Sequence, residues 1–212
     1  MMEYIRPEDI EKRSFEIIQS ELQHPLDPIL APVIMRVIHT TADFEYVHSL
    51  TFSPNAIERA VNALRQGAQI VSDTNMVKAG VDKVRLKALG GDVHCFMLDE
   101  DVAQAALQNK STRARASMDK AATMGMPLIL AIGNAPTALL RICELKEAGL
   151  LSPELVIGVP VGFVNVVESK EALMRSGIEY ITAKGRKGGS NVAAAICNAL
   201  LRIAVLEKKN DD

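Results

Sequence analysis

Apolar residues follow two rhythms along this chain. Five short stretches are apolar almost without interruption: 68–72 (AQIVS), 93–98 (VHCFML), 127–132 (PLILAI), 155–159 (LVIGV) and 179–183 (EYITA). Continuous rather than alternating apolar character predicts strands covered on both faces, as in a parallel sheet. Between them, apolar positions recur at helical spacing over 82–89, 99–109, 112–124, 135–148 and 169–176, and an Ala- and Leu-rich stretch over 190–207 predicts a long closing helix. This alternation predicts a doubly wound α/β fold, with a mostly parallel five-stranded sheet flanked by helices. No repeat, low-complexity tract or linker interrupts it, so residues 1–212 read as a single domain.

The first 66 residues are different and mostly follow the helical rhythm. Pro7-Glu8-Asp9 predicts a helix start, with proline in the first turn and acids at the positive end of the dipole. Ile10, Ile17, Ile18 and Leu22 then form an apolar stripe, on which Ser14 falls with Arg13 beside it. A second helix is expected from Pro32 rather than Pro28, because Pro32 would kink a helix begun earlier. A third opens at Ser53-Pro54-Asn55-Ala56 and runs to about Gln66.

Composition narrows the class. With 48% hydrophobic and 24% charged residues the chain has the balance of a globular protein. No apolar run approaches the ~18 residues of a membrane span, and the mixed-charge start predicts no secretory signal. Cys95, Cys143 and Cys197 stand apart among apolar residues, which predicts buried thiols in a reducing, cytoplasmic compartment and no metal-ligand cluster. A net charge of −2, 4% aromatics and no Trp argue against a nucleic-acid partner, which would need a basic surface with stacking rings. The densest basic cluster, Lys184-Gly185-Arg186-Lys187, suits a small polyanion better than a duplex.

Chemistry concentrates in a few places. On a helix from Pro32, Val33, Ile34, Val37 and Ile38 share one side, and Arg36 and His39 share another. His39 is either an acid–base group, as an imidazole titrating near pH 6.5 allows, or an exposed histidine favoured at a helix C-terminus. Other candidates are the loops expected after strands, 73–75, 133–136, 160–162 and 184–190, because ligands of open parallel sheets bind beyond the strands' carboxyl ends. Gly185, Gly188 and Gly189 would let backbone approach an anion at a helix start, or would simply make a turn with Ser190 as N-cap. Neither a P-loop nor a GxGxxG is present, so nucleotide binding has no support. Arg113 and Arg115 are equally consistent with a solvated helix face, and His24, His48 and His94 read as incidental.

Several longer motifs carry a resemblance. They are EKRSF (11–15), MRVIHTTADFE (35–45), FSP (52–54), DTNMVKAGV (73–81), IGNAPTALL (132–140), GVPVGFVNVVESKEAL (158–173) and KGRKGGSNVAAA (184–195). In this order they resemble the precorrin-8X methylmutase family over almost the whole chain. The resemblance implies a single α/β domain forming homodimers, with no separate cofactor. It implies an isomerase of cobalamin biosynthesis that shifts a methyl group from C-11 to C-12 of a corrin-type tetrapyrrole. The substrate would be precorrin-8X, giving hydrogenobyrinic acid, or cobalt-precorrin-8, giving cobyrinic acid. Nothing in the chain must ligate a metal, so the ring's cobalt stays open.

The family's catalytic histidine maps onto His39, and its substrate contacts map onto Ser14, Arg36 and Arg113. Arg186 and Lys184 of the basic loop would join the arginines in pairing with the substrate's carboxylates. Ser14 either donates to the substrate or bonds back to the Ile10 carbonyl. Met76, Val161 and Phe163 either cover the ring faces or belong to the core. His39 is expected to act as a general acid for a suprafacial 1,5 shift. A tetrapyrrole carrier would need His39 only for affinity, and a donor-dependent methyltransferase would need a donor-binding loop that is not recognisable here.

Overall fold

The computed structural model describes residues 6–211. A short 3-10 turn over Pro7–Asp9 leads into α1 (Ile10–Glu21), α2 (Ala31–Thr41), α3 (Tyr46–Ser49), β1 (Leu50–Phe52) and α4 (Ala56–Arg65). The middle of the chain forms β2 (Gln69–Ser72), α5 (Asn75–Gly80), α6 (Lys83–Ala88), β3 (Val93–His94), α7 (Glu100–Gln108) and α8 (Arg113–Ala122). It closes with β4 (Leu128–Ile132), α9 (Pro136–Glu147), β5 (Leu155–Gly158), α10 (Val166–Arg175), β6 (Tyr180–Ala183) and α11 (Ser190–Asp211).

All five residues of β4 are buried, and alternate side chains serve two cores. Ile129 and Ala131 join a cluster built with α2, α4 and α11. Leu128, Leu130 and Ile132 join one built with α8, α9 and α10. Strands sandwiched in this way read as continuous apolar runs. The sheet runs β1-β6-β5-β4-β2-β3, with β2 parallel to both β3 and β4, and β4, β5 and β6 parallel in turn. The winding reverses between β2 and β4, which makes that crevice the switch point of the sheet.

The sheet has six strands rather than the five expected. The added one, β1, is a three-residue edge strand antiparallel to β6, with Thr51 opposite Thr182. It is too short to carry a period and lies between helices. Its successor Ser53 extends the pairing, donating its N–H to the Tyr180 carbonyl (3.0 Å) and accepting the Tyr180 N–H on its hydroxyl (2.8 Å). The next helix starts at Ala56, the last residue of the expected opening. The strand expected over 93–98 stops at His94, where the chain turns and the Asp99 N–H meets the Phe96 carbonyl. The α1 stripe is buried only at Ile18; Ile10 and Ile17 are 52% and 43% exposed because α1 lies outside α2. Cys95 and Cys197 are buried free thiols, whereas Cys143 is partly exposed.

Helix α11 is the central buttress, packing on α2, α4 and α5. Over Ser190–Lys208 it is long and apolar enough to cross a membrane, with mean hydropathy 1.4. The sequence pattern masks this because Arg202 interrupts the run. Its Val192, Ala193, Ile196 and Leu201 are fully buried, so that apolarity is spent on the protein core.

Candidate functional site

The loops after β2, β4, β5 and β6 converge on the start of α11. Thr74 and Ser190 share a hydroxyl–hydroxyl hydrogen bond of 2.9 Å, so this serine is tied sideways to the β2 loop. Gly189 donates its N–H to the Val159 carbonyl (2.8 Å), and Gly162 donates to the Arg186 carbonyl (3.2 Å). Two glycines make the convergence possible. A Cβ at Gly133 would lie 2.7 Å from the Ser190 Cα, and one at Gly188 would strike the Val159 carbonyl.

The switch-point crevice is filled from within. Asp73 directly follows β2 and is only 1% exposed. Its carboxylate accepts the N–H groups of Gly133 (2.9 Å), Asn134 (2.8 Å) and Ala135 (2.6 Å) at the start of α9. Burial pushes this carboxyl up, and the three backbone donors pull the other way. Where related sheet architectures seat a phosphate, this chain supplies its own anion.

The basic loop between β6 and α11 has the opposite arrangement. Lys170, on α10, is 1% exposed. Its Nζ donates to the carbonyls of Gly185 (2.9 Å) and Lys187 (2.7 Å), and burial pulls its pKa down to about 8. Outside the loop, Lys187 reaches Asp43 (2.6 Å) and Glu45 (2.7 Å) beyond the end of α2, and these acids hold its ammonium well above the usual range. Lys184 and Arg186 face solvent, the latter with its guanidinium 5.3 Å over the ring of Phe163. Phe163, Val161 and Met76 are 81%, 48% and 69% exposed, so none of these three is a core residue.

His39 lies in the last turn of α2, which Ala42 ends in a left-handed conformation with its N–H on the Ile38 carbonyl. The imidazole is exposed and lies flat against Phe15 of α1, with ring centroids 5.3 Å apart and planes 12° apart. Arg36, one turn earlier, rests its guanidinium 4.7 Å from the same ring. Arg36 also bonds Glu11 at 2.8 Å. Arg202 of α11 takes the same carboxylate, and the two arginines draw the Glu11 carboxyl down to about 2. Ser14 donates to the Ile10 carbonyl (2.9 Å), the second of its two expected roles. Arg36 and Arg202 also edge a groove of about 330 Å³ floored by Gly80, Ala194 and Ala195.

Arg113 stands apart. It opens α8, whose cap Thr112 bonds Thr137 on the first turn of α9 (3.1 Å). Arg115, by contrast, is paired with Glu144 through two contacts of 2.8 and 2.7 Å. Among the described residues, neither Arg113 nor Lys184 has an ion-pair partner.

The structure thus gathers Ser14, Arg36 and His39 around Phe15, and gathers Lys184 and Arg186 on the basic loop. The Lys187 ion pairs link the two groups, and Arg113 lies beyond α9. Sequence reading named Asp73 only within the 73–75 loop, as a place for a ligand, and missed Glu11, Phe15 and Lys170 as determinants of this geometry. Lys170 left a usable signal: it stands four residues after Val166 and three before Leu173, both buried, so a lysine occupies the apolar stripe of its helix. Glu11 and Phe15 stood out only as the ends of the EKRSF motif; their pairing left no signal, because their partners lie on other helices.

Comparison with known proteins places these residues in a family context. The family model for precorrin-8X methylmutase matches residues 9–203. A cobalt-precorrin-8 methylmutase of Priestia megaterium is 45% identical, over 94% of this chain and 89% of its own length. One from Salmonella typhimurium is 43% identical, over 94% and 97%. The crystal structure of a precorrin-8X methylmutase from Thermus thermophilus superposes with a TM-score of 0.87 at 39% identity, covering 94% of this chain and 98% of that one. The chain belongs to the precorrin-8X methylmutase family.

Proposed function

We propose that this chain isomerises precorrin-8X or cobalt-precorrin-8 in cobalamin biosynthesis, moving the methyl group from C-11 to C-12 with His39 as general acid. The observation that carries the reading is the setting of His39. Its ring is open to a ligand on one side and held flat by Phe15 on the other. An acid presented in a fixed orientation can lend a proton or hydrogen bond to the macrocycle as the C-11–methyl bond breaks and the C-12–methyl bond forms. The reaction is an isomerisation, so the proton returns to the imidazole and no methyl donor or net proton enters. A positioned acid contributes about 10²–10⁴-fold, and holding the macrocycle in the reactive geometry contributes much of the rest.

Lys184 and Arg113, without ion-pair partners among the described residues, and Arg186, with its guanidinium over Phe163, meet the substrate's carboxylates. Arg36 acts alongside Glu11, so a substrate carboxylate reaching it competes with that pair, and Ser14 reaches substrate only by releasing the Ile10 carbonyl. Phe163, Val161 and Met76 offer apolar cover for the ring. The family resemblance supports a single-domain cytoplasmic homodimer, and the exposed Ile10 and Ile17 on α1 offer apolar surface for a second copy to cover.

The test is the visible spectrum of metal-free and of cobalt-bearing substrate mixed with wild-type protein or with His39→Ala, without methyl donor. The shift changes ring conjugation, so turnover is read as a colour change. We expect His39→Ala to retain binding and to turn over at least about a hundredfold more slowly. Turnover near the wild-type rate in that variant would overturn the role of His39. Retention of both rings by the wild-type protein without conversion would favour a carrier.

A further inference from the structure

Resting on the reading that Lys184 and Arg186 meet substrate carboxylates, we propose that Lys170 is the positioning residue of the corrinoid site. Its buried ammonium shapes the 184–189 loop from beneath and sets where those two cations stand.

The 184–189 loop depends on contacts from outside it. Between β6 and α11 it has almost no regular structure of its own, and Gly185 adopts a left-handed φ of 77°. Its ends are fixed by Lys184 N–H on the Ser49 carbonyl (2.8 Å) and Gly189 N–H on the Val159 carbonyl (2.8 Å). Between those ends, the carbonyls of Gly185 and Lys187 turn inward, and Lys170 Nζ takes both. The intervening Arg186 carbonyl goes elsewhere, to the Gly162 N–H. Inward carbonyls on either side of Arg186 direct its side chain outward, where it lies over Phe163. A single cation therefore fixes the backbone flanking one proposed contact and, through Gly185, the residue adjoining the other.

A buried ammonium is costly unless compensated. A lysine used only to fill the stripe of α10 would be replaced more favourably by methionine, of similar length and without charge. Its two hydrogen bonds to one exposed loop give the charge a local purpose. Lys170 touches no substrate in this scheme; it acts through Lys184 and Arg186.

The experiment compares wild type, Lys170→Met, the pair Lys184→Ala/Arg186→Ala, and the triple combination. Steady-state kinetics are followed by the colour change, and trypsin cleavage within 184–187 is followed by mass spectrometry. Lys170→Met should raise KM about tenfold with kcat within about twofold, and should speed loop cleavage about tenfold. In the background lacking Lys184 and Arg186, adding Lys170→Met should leave KM within twofold, because the positions act as one unit. A merely structural lysine would worsen KM equally in both backgrounds, and that result overturns the proposal. Unchanged KM and unchanged cleavage in Lys170→Met overturn it too. Should Lys170→Met fail to fold, Lys170→Gln keeps an N–H donor beneath the loop and carries the same comparison, with a smaller rise in KM expected. If the wild type converts neither ring, the corrinoid reading fails, while the trypsin comparison still decides whether Lys170 shapes the loop.

Discussion

Asp73 and Lys170 are both buried charges whose hydrogen-bond partners are backbone groups, yet they serve opposite ends. Asp73 gathers three N–H groups at the start of a helix and closes the crevice where the sheet reverses its winding. Lys170 gathers two carbonyls of a loop and leaves that loop's own cations pointing away. The difference lies in what surrounds the partners. The donors around Asp73 form the turn that joins two core elements, β4 and α9, with Gly133 buried, whereas the carbonyls above Lys170 belong to an exposed loop. The first charge is therefore expected to matter chiefly for stability and the second chiefly for function.

Substitution tests that contrast directly. Asp73→Ala removes the acceptor of three N–H groups, that of buried Gly133 among them, and should cost about 3 kcal/mol in chemical denaturation. Asp73→Asn keeps one acceptor oxygen and should cost visibly less. A loss for Asp73→Ala no larger than that for Lys170→Met would collapse the distinction.

The next effect is read from pH. The folded protein releases the Lys170 proton near 8 and the unfolded chain releases it near 10.5. Between those values unfolding takes up a proton, so stability rises with pH, by about 1.4 kcal/mol per unit. Wild type should thus gain about 2 kcal/mol on Lys170→Met between pH 8 and 9.5. A constant gap between the two proteins over that range would show that burial does not weigh on this ammonium. At pH 7, where the charge is present, Lys170→Met should change stability by less than about 1 kcal/mol.

Glu11 supplies the exposed counterpart. Its carboxyl sits near 2 in the folded protein against an ordinary 4.5, so its contribution is complete above 4.5 and is lost as pH falls through about 2. The side chain is 42% exposed and screened by solvent, so Glu11→Gln should cost only about 0.5 kcal/mol at neutral pH. A loss matching that of Asp73→Ala would mean that burial is not what separates these charges.

What could be read from sequence divides along similar lines. The strands over β2, β4, β5 and β6 announced themselves because burial on both faces leaves an unbroken apolar run. The α2 stripe of Val33, Ile34, Val37 and Ile38 is buried as its spacing predicts. β1 escaped notice because three residues carry no period, and β3 was drawn too long because Phe96 and Met97 stay apolar after the chain has turned. Within the candidate site, His39 and the basic loop stood out by residue type. The pairing of Arg36 with Glu11 and the stacking on Phe15 did not, since both depend on how α1 lies across α2. Lys170 was legible in principle, as a charge standing on an apolar stripe.

Helix α11 also dictates when the rest of the molecule can be completed. The core that holds α2 and α4 is built largely on this last element, and Glu11 and its partner Arg202 are 191 residues apart. A chain emerging from the ribosome has made its first helices long before the surface they pack on exists. At about 5–20 residues per second, that interval is on the order of ten seconds, during which α2 and α4 expose apolar faces without their partner. Contacts of such long sequence separation fold slowly. Strands β2 to β5 and the α8–α10 layer can assemble earlier, so the half of the protein carrying His39 should be the last to form during synthesis.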